Sequence, residues 1–229
     1  MKVKGQTVLV TGANRGLGLA LVDAFLAAGA TVYAGARDAS KIDRSGARPV
    51  QLDITDPASV KAAAAKLGDV TIVVNNAGVF VPAAIGAPDE IAALRSNLDT
   101  NVYGTYNVAS AFAPILARNG GGAIVNVLSV LSWVTLEGTS GYSASKAAAW
   151  AITNGLRKEL KGKGTQVIAV HVGYMDTDMA AGVTTPKSKP SDVAAQILDA
   201  IEHDQPELLA DGITQSVKAS LGTHTAAYL

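Results

Sequence analysis

Short apolar, β-branched runs alternate with helix-patterned segments along this chain, and that alternation most restricts how it can fold. Thr7 to Thr11 is a buried-type strand stopped by Gly12. Leu17 to Ala28 follows with helical periodicity and stops at Gly29. Further strands are predicted at Thr31 to Ala36, Val50 to Leu52, Val70 to Val74, Ala123 to Val127, Gln166 to His171 and Glu207 to Ala210. Between them lie helices: one opened by Asp56-Pro57 with its body at Val60 to Leu67, then Ile91 to Ala117, Ser140 to Leu160 and Asp192 to Glu202. Continuously apolar strands separated by helices imply a parallel sheet covered on both faces. No linker or repeat interrupts the pattern, so residues 1–229 are expected to form a single doubly wound domain. In such folds ligands bind beyond the carboxyl ends of the strands.

Composition narrows the function. Hydrophobic residues make up 48% of the 229, enough for a sizeable core. Net charge is zero, which argues against a nucleic-acid partner, since neutralising phosphate needs surplus Lys and Arg. There is no cysteine, and the three histidines are far apart, so no disulfide and no metal site is expected. The opening Met1-Lys2-Val3-Lys4-Gly5 lacks the pattern of a signal peptide, and no apolar run is long enough to span a bilayer. A cytoplasmic protein with no membrane partner is the expectation.

The first strand leads into Thr11-Gly12-Ala13-Asn14-Arg15-Gly16-Leu17-Gly18, which opens a helix. Glycines let the backbone turn sharply and approach a pyrophosphate, and the helix N-terminus offers free N–H groups and partial positive charge. No Lys-Ser or Lys-Thr follows the last glycine, so this is not an ATP-hydrolysing loop. A dinucleotide is the better fit, with Gly12, Asn14, Arg15, Gly16, Leu17 and Gly18 as contacts. An acid at the end of the second strand would bind the 2′-hydroxyl of NAD. Here Ala36 holds that place and Arg37 follows. Arg15 and Arg37 suit the 2′-phosphate of NADP, because guanidinium forks onto phosphate. NADP(H) is therefore expected over NAD(H), although Asp38 beside Arg37 would oppose a phosphate. Asp53, with Ile54, follows the third strand; the aspartate either accepts from an adenine amino group or caps its own loop. Asn75-Asn76-Ala77-Gly78 ends the fourth strand, either closing over the ribose through Asn75, Ala77 and Gly78 or making a plain turn.

Tyr142 and Lys146 sit at i and i+4 near the start of a helix and share a face. At about 5 Å and an effective dielectric near 20, the ammonium would favour phenolate by roughly 3 kcal/mol, about two pKa units. Such a pair can act as general acid and base. Ser129 lies just beyond the fifth strand, with Ser132 and Ser140 as competitors for the same hydroxyl role. Asn101 sits within a helix pattern, where Asn is mildly unfavourable, so it is either exposed or has a specific task.

Taken in order, the glycine turn, Asn75-Asn76-Ala77-Gly78, Asn101, Ser129 and Tyr142 through Lys146 resemble the short-chain dehydrogenase/reductase family in its compact single-domain branch. The resemblance covers nearly the whole chain. It selects Ser129 over Ser132 and Ser140 by its distance before the tyrosine. It implies a seven-stranded parallel sheet in the order 3-2-1-4-5-6-7 in a Rossmann-type α/β fold. It further implies that Tyr142 is the general acid and base and that Ser129 hydrogen-bonds the substrate oxygen. Lys146 would hold the nicotinamide ribose and lower the tyrosine pKa, and Asn101 would help hold a relay water. Tyr142, Lys146, Gly173 and Thr177 join the expected cofactor contacts. A carbonyl or alcohol substrate and a homodimer or homotetramer are implied, assembled partly through the two long helices with their small face at Ala147, Ala148, Ala149 and Ala151. Where the family has Pro-Gly after the sixth strand, this chain has Val172-Gly173, which predicts a looser loop. A short lid near 178–190 predicts an open pocket tolerant of bulky carbonyls, lined by Trp133, Val134, Leu136, Tyr174 and Met175; Trp133 and Trp150 could equally serve as core aromatics. A sugar-nucleotide epimerase on a related fold and a non-catalytic NADP-binding regulator are the competing readings; the first needs a longer chain and the second need not keep the reacting residues.

Overall fold

The computed structural model describes residues 1–228. Seven parallel strands form one sheet in the order β3-β2-β1-β4-β5-β6-β7. They are β1 (Thr7–Thr11), β2 (Thr31–Ala36), β3 (Ala47–Gln51), β4 (Ile72–Asn75), β5 (Gly122–Val127), β6 (Thr165–His171) and β7 (Glu207–Leu209). The helices are α1 (Gly16–Ala27), α2 (Pro57–Lys66), α3 (Glu90–Leu98), α4 (Thr105–Arg118), α5 (Ser140–Leu160), α6 (Pro190–Glu202) and α7 (Gly212–Ser220). Predicted and observed elements differ by a few residues at most ends. The last helix, α7, was not predicted.

Side chains alternate across a strand, and β1 shows the result. Val8 and Val10 pack on one face with Leu21 and Phe25 of α1 and Ile197 and Ile201 of α6. Leu9, between them, packs on the other with Phe112 and Leu116 of α4 and Leu156 and Leu160 of α5. Both cores press on the central strands, which are therefore apolar throughout. Helix α2 starts as its sequence demands: the Asp56 side chain accepts from the Ala58 N–H and Pro57 occupies the first turn.

The predicted helix Ile91 to Ala117 is interrupted. Asp99–Gly104 joins α3 to α4 as a π-helical segment, wider than an α-turn. Gly104 lets Ile54 pack directly on this segment, since a Cβ there would lie 2.7 Å from Ile54 Cδ1. Further on, α4 continues through Pro114. An interior proline costs about 3 kcal/mol, but burying Phe112, Ile115 and Leu116 contributes about 2 kcal/mol each and outweighs it.

Candidate active site at the carboxyl edge of the sheet

The glycine turn after β1 is held from beside it. Asn76 Nδ2 donates to Thr11 O (2.9 Å) and Gly12 O (3.1 Å). The Thr11 hydroxyl accepts from the Asn76 and Ala77 amides, both at 3.0 Å. Gly12 and Gly16 have φ of +64° and +55°, conformations that favour glycine. A Cβ on Gly12 would lie 2.9 Å from Ala77 Cα, and one on Gly18 would lie 2.1 Å from Gly12 O. The turns after β1 and β4 are thus packed backbone to backbone. Arg15, the N-cap of α1, makes no side-chain cap. The first N–H groups of the helix are left without a side-chain cap and are available to an anion. These features fit the pyrophosphate of a dinucleotide.

The other expected cofactor contacts are placed as follows. Asn14 and Leu17 lie in the turn and first helical turn, and Leu17 is buried in the α1 core. Arg37 is exposed at the end of β2. Arg15 pairs with Asp178 at 3.0 Å, both side chains more than 70% exposed. Asp38 takes part in its own loop, accepting from the Ser40 hydroxyl at 2.6 Å; that bond holds its pKa below the usual carboxylate range. Asp53 accepts from the Thr55 amide and hydroxyl with one carboxylate oxygen. Ile54 packs against Gly104, and its carbonyl accepts from Asn107. Asn75 turns inward and donates to Asn126, which donates to Thr153. The Gly173 amide donates to Asp211 at 2.6 Å. Thr177 packs its methyl against Gly16, where a Cβ would meet it at 3.2 Å.

The reacting candidates converge on the same edge. Ser129 follows β5 in extended conformation; its hydroxyl accepts from the Leu131 amide and is near enough to the Tyr142 phenol to influence its titration. Lys146 Nζ donates to Val127 O at 2.9 Å and lies 5.7 Å from the Tyr142 ring centre. Burial pushes the phenol up to about 12, with the Ser129 hydroxyl working in the opposite direction. Burial likewise pushes the lysine down to about 8. The two-unit lowering expected from the ammonium does not appear, because burial dominates the titration of both groups. Ser132 is buried with its hydroxyl unpartnered, and Ser140 opens α5 at the exposed surface.

Asn101, in the π-helical segment, is buried. Its Oδ1 accepts from the Val79 amide, and its Nδ2 donates to Val79 O and to the Ser145 hydroxyl. Ser145 in turn donates to Tyr142 O. The Asn101 amide thus ties the β4 turn to the tyrosine helix. A Cβ on Gly78 would lie 3.1 Å from Asn101 Oδ1 and 3.8 Å from Lys146 Nζ, so these three meet. The side chain expected to help hold a relay water is committed to main chain and Ser145.

Two further expectations are corrected. The loop at Val172 is not loose: Val172 is buried, its carbonyl accepts from Val130, and Asp211 holds the next residue. Trp133 does both things expected of it, stacking on His171 at 3.9 Å and lining a shallow cavity with Val134, whereas Met175 packs against the core. Of the expected lining, Leu136 and Tyr174 remain exposed. Phe80, which no motif marked, sets its ring edge-on to Tyr142 at 5.0 Å. Asn76 and Ser145 lay inside the sequence motifs without a role of their own, and His171 and Asp211 were given none, because each acts through contacts between distant segments. Residues 178–190 are strapped down by Lys187, which donates to Ala180 O, and by main-chain bonds between Ser188 and Tyr174 and Asp176. Among the described residues no helix is long and apolar enough to cross a membrane, and no acidic, cysteine or histidine cluster could hold a metal.

Comparison with known proteins agrees with this geometry. Residues 6–188 match the family model described as short chain dehydrogenase. A 1-deoxy-11-beta-hydroxypentalenate dehydrogenase of Streptomyces exfoliatus is 33% identical over 216 residues, 87% of this chain and 78% of that protein. A short chain dehydrogenase from Burkholderia cenocepacia J2315, solved in complex with NADP, superposes with a TM-score of 0.93 at 38% identity, covering 98% of this chain and 95% of that one. A 7α-hydroxysteroid dehydrogenase complexed with NADH and 7-oxo glycochenodeoxycholic acid superposes at 0.84 with 26% identity, over 91% and 93% of the chains.

Proposed function

The chain belongs to the short-chain dehydrogenase family, and from that premise we propose that it interconverts a ketone or aldehyde and its alcohol using NADP(H). The observation that carries the proposal is the convergence of Tyr142, Ser129 and Lys146 beside an uncapped helix N-terminus. When bound, NADPH supplies the hydride that reduces the carbonyl carbon. Tyr142, neutral because burial holds its pKa near 12, donates its proton to the substrate oxygen. The Ser129 hydroxyl hydrogen-bonds the same oxygen and orients it. Lys146 holds the nicotinamide ribose; its ammonium opposes negative charge left on the phenol oxygen. The amides of Gly16, Leu17 and Gly18 hold the pyrophosphate, and Thr177 the carboxamide.

The NADP preference is supported by Arg15 and Arg37. The Arg15–Asp178 pair is exposed, and such pairs contribute about 0–1 kcal/mol, so a phosphate can take the guanidinium from Asp178. The NADP-bound neighbour supports the same choice, while the steroid enzyme's NADH shows that the fold alone does not dictate it. Exposed Phe80, Leu136, Tyr174 and Met179 support a bulky apolar carbonyl as substrate.

NADPH oxidation measured with a panel of ketones and aldehydes tests the proposal. Tyr142→Phe is expected to lower the rate by about a hundredfold or more. Equal rates in the two proteins would overturn the mechanism and favour a regulator that only binds the cofactor.

A further inference from the structure

His171 is a titratable group that the proposed chemistry leaves unused. It ends β6 and is wholly buried. Its Nδ1 lies 3.1 Å from the main-chain carbonyl of Ser129. We propose that His171 is a positioning residue for the reaction: its Nδ1–H holds the Ser129 carbonyl and thereby sets where the serine hydroxyl meets the substrate oxygen. The role rests on that of Ser129 in the proposed reaction.

A carbonyl oxygen only accepts, so Nδ1 must carry the proton in this contact. Burial pushes the imidazole down to about 4, so it is neutral near pH 7 and Nε2 is bare. Among the described residues Nε2 has no hydrogen-bond partner. Three charged groups face the ring: Glu207 from β7, Lys218 from α7 and Lys146 from α5. Glu207 Oε1 stands 3.6 Å from Nε2, but both Glu207 oxygens are engaged by Lys218 at 2.8 and 3.0 Å. Pairing with the ammonium reduces the repulsion between carboxylate and ring lone pair.

The ring is clamped as well as bonded. Trp133 stacks on it at 3.9 Å with planes 22° apart, and Trp150 meets it edge-on at 6.4 Å. The Lys218 ammonium lies 4.8 Å from the Trp133 ring centre and 5.5 Å from that of Trp150, closing the box from α7. Trp133 ends the same short turn that Ser129 begins. One imidazole therefore grips both ends of the turn that carries the hydroxyl.

Main-chain bonds hold the neighbours on either side, Leu128 to Val170 (2.7 Å) and Val130 to Val172 (2.9 Å). The Ser129 carbonyl between them accepts from the Ser132 amide within the short turn at 3.0 Å and takes a second donor from a side chain, His171. Packing alone does not explain histidine here. A phenyl ring would fill the site and stack on Trp133 without burying an unpaired nitrogen.

The test pairs His171→Phe, which keeps the ring and loses the donor, with His171→Asn, whose amide restores a donor. His171→Phe is expected to lower kcat with a ketone by about ten- to a hundredfold, the scale of a misplaced reacting group. KM for NADPH should stay within about twofold, since the ring lies away from the glycine turn, and His171→Asn should recover most of kcat. An unchanged kcat in His171→Phe would overturn the role. So would equal losses in both variants, which would mean packing alone. Should the Phe variant not fold, nitrogen-15 NMR of the wild-type ring decides: Nδ1–H with bare Nε2 is expected, and the opposite tautomer overturns the proposal. Ser129→Ala, run alongside, separates the two claims. If it leaves the rate intact, the assigned reaction fails with it; if it abolishes the rate while His171→Phe does not lower it, only the positioning role fails.

Discussion

Tyr142 and Lys146 titrate in opposite directions, and the lysine does so within the working pH range. Its ammonium is present below about 8 and lost above it. In the proposed reaction that charge holds the ribose and favours phenolate, so kcat/KM for NADPH should fall as pH rises through about 8. Lys146→Arg, which cannot deprotonate there, should flatten the fall at a lower plateau rate. Stability runs the other way. The folded pKa, about 8, lies below the unfolded value of 10.5. Between these the unfolded chain binds the proton and the folded chain does not, so the Lys146 contribution becomes more favourable with rising pH. A steep loss of stability between pH 8 and 10, absent in the Arg variant, would contradict the buried, depressed lysine. The pair itself was legible as Tyr and Lys at i and i+4. The direction of the tyrosine shift was not, because it depends on desolvation by segments far away in the chain.

At the scale of elements, the glycine turn and the long helix α5 respond differently to the same change. Gly18→Ala places a Cβ 2.1 Å from Gly12 O and 2.6 Å from Asn76 Nδ2, so the turn must open. It should cost roughly 1–3 kcal/mol of stability and weaken NADPH binding, read by denaturant unfolding and titration. Gly155→Ala, in α5 where a Cβ meets nothing within 4 Å, should instead stabilise by about 0.5–1 kcal/mol. A neutral Gly18→Ala would contradict the backbone packing of the β1 and β4 turns. The turn, the strand beneath it and α5 were legible from local spacing; Ser140 to Leu160 matches α5 end to end. The π-helical break at Asp99–Gly104, on which Ile54 packs, was not, because the helical periodicity runs through it without a local mark. Helix α7 was not predicted, although Asp211 and Thr214 form its capping box; its short polar pattern reads as loop until Glu207 and the two tryptophans receive Lys218.

Over the whole molecule, cofactor binding and folding are linked, since the crevice exists only when β1, β4 and β5 are aligned. A ligand at a hundred times its Kd stabilises by about 2.7 kcal/mol, which in a chain of this size raises Tm by roughly 5–11 °C. NADPH should therefore raise Tm more than NADH at equal concentration, and the double substitution of Arg15 and Arg37 by Ala should erase the difference. A larger shift with NADH in the wild-type protein would refute the assignment of those arginines.

By itself the sequence determined the strand and helix succession, the glycine turn, and the types of group available for chemistry. Those features live in periodicity and short motifs, which depend on a few neighbouring residues. Only the tertiary structure decided which groups meet: Asn76 on the turn, Asp178 on Arg15, Asp211 on Gly173 and His171 on Ser129. It also decided that burial, rather than the neighbouring ammonium, governs Tyr142. The strand order itself followed from the family resemblance, but contacts and desolvation arise between side chains of distant segments, and no local pattern encodes which of them meet.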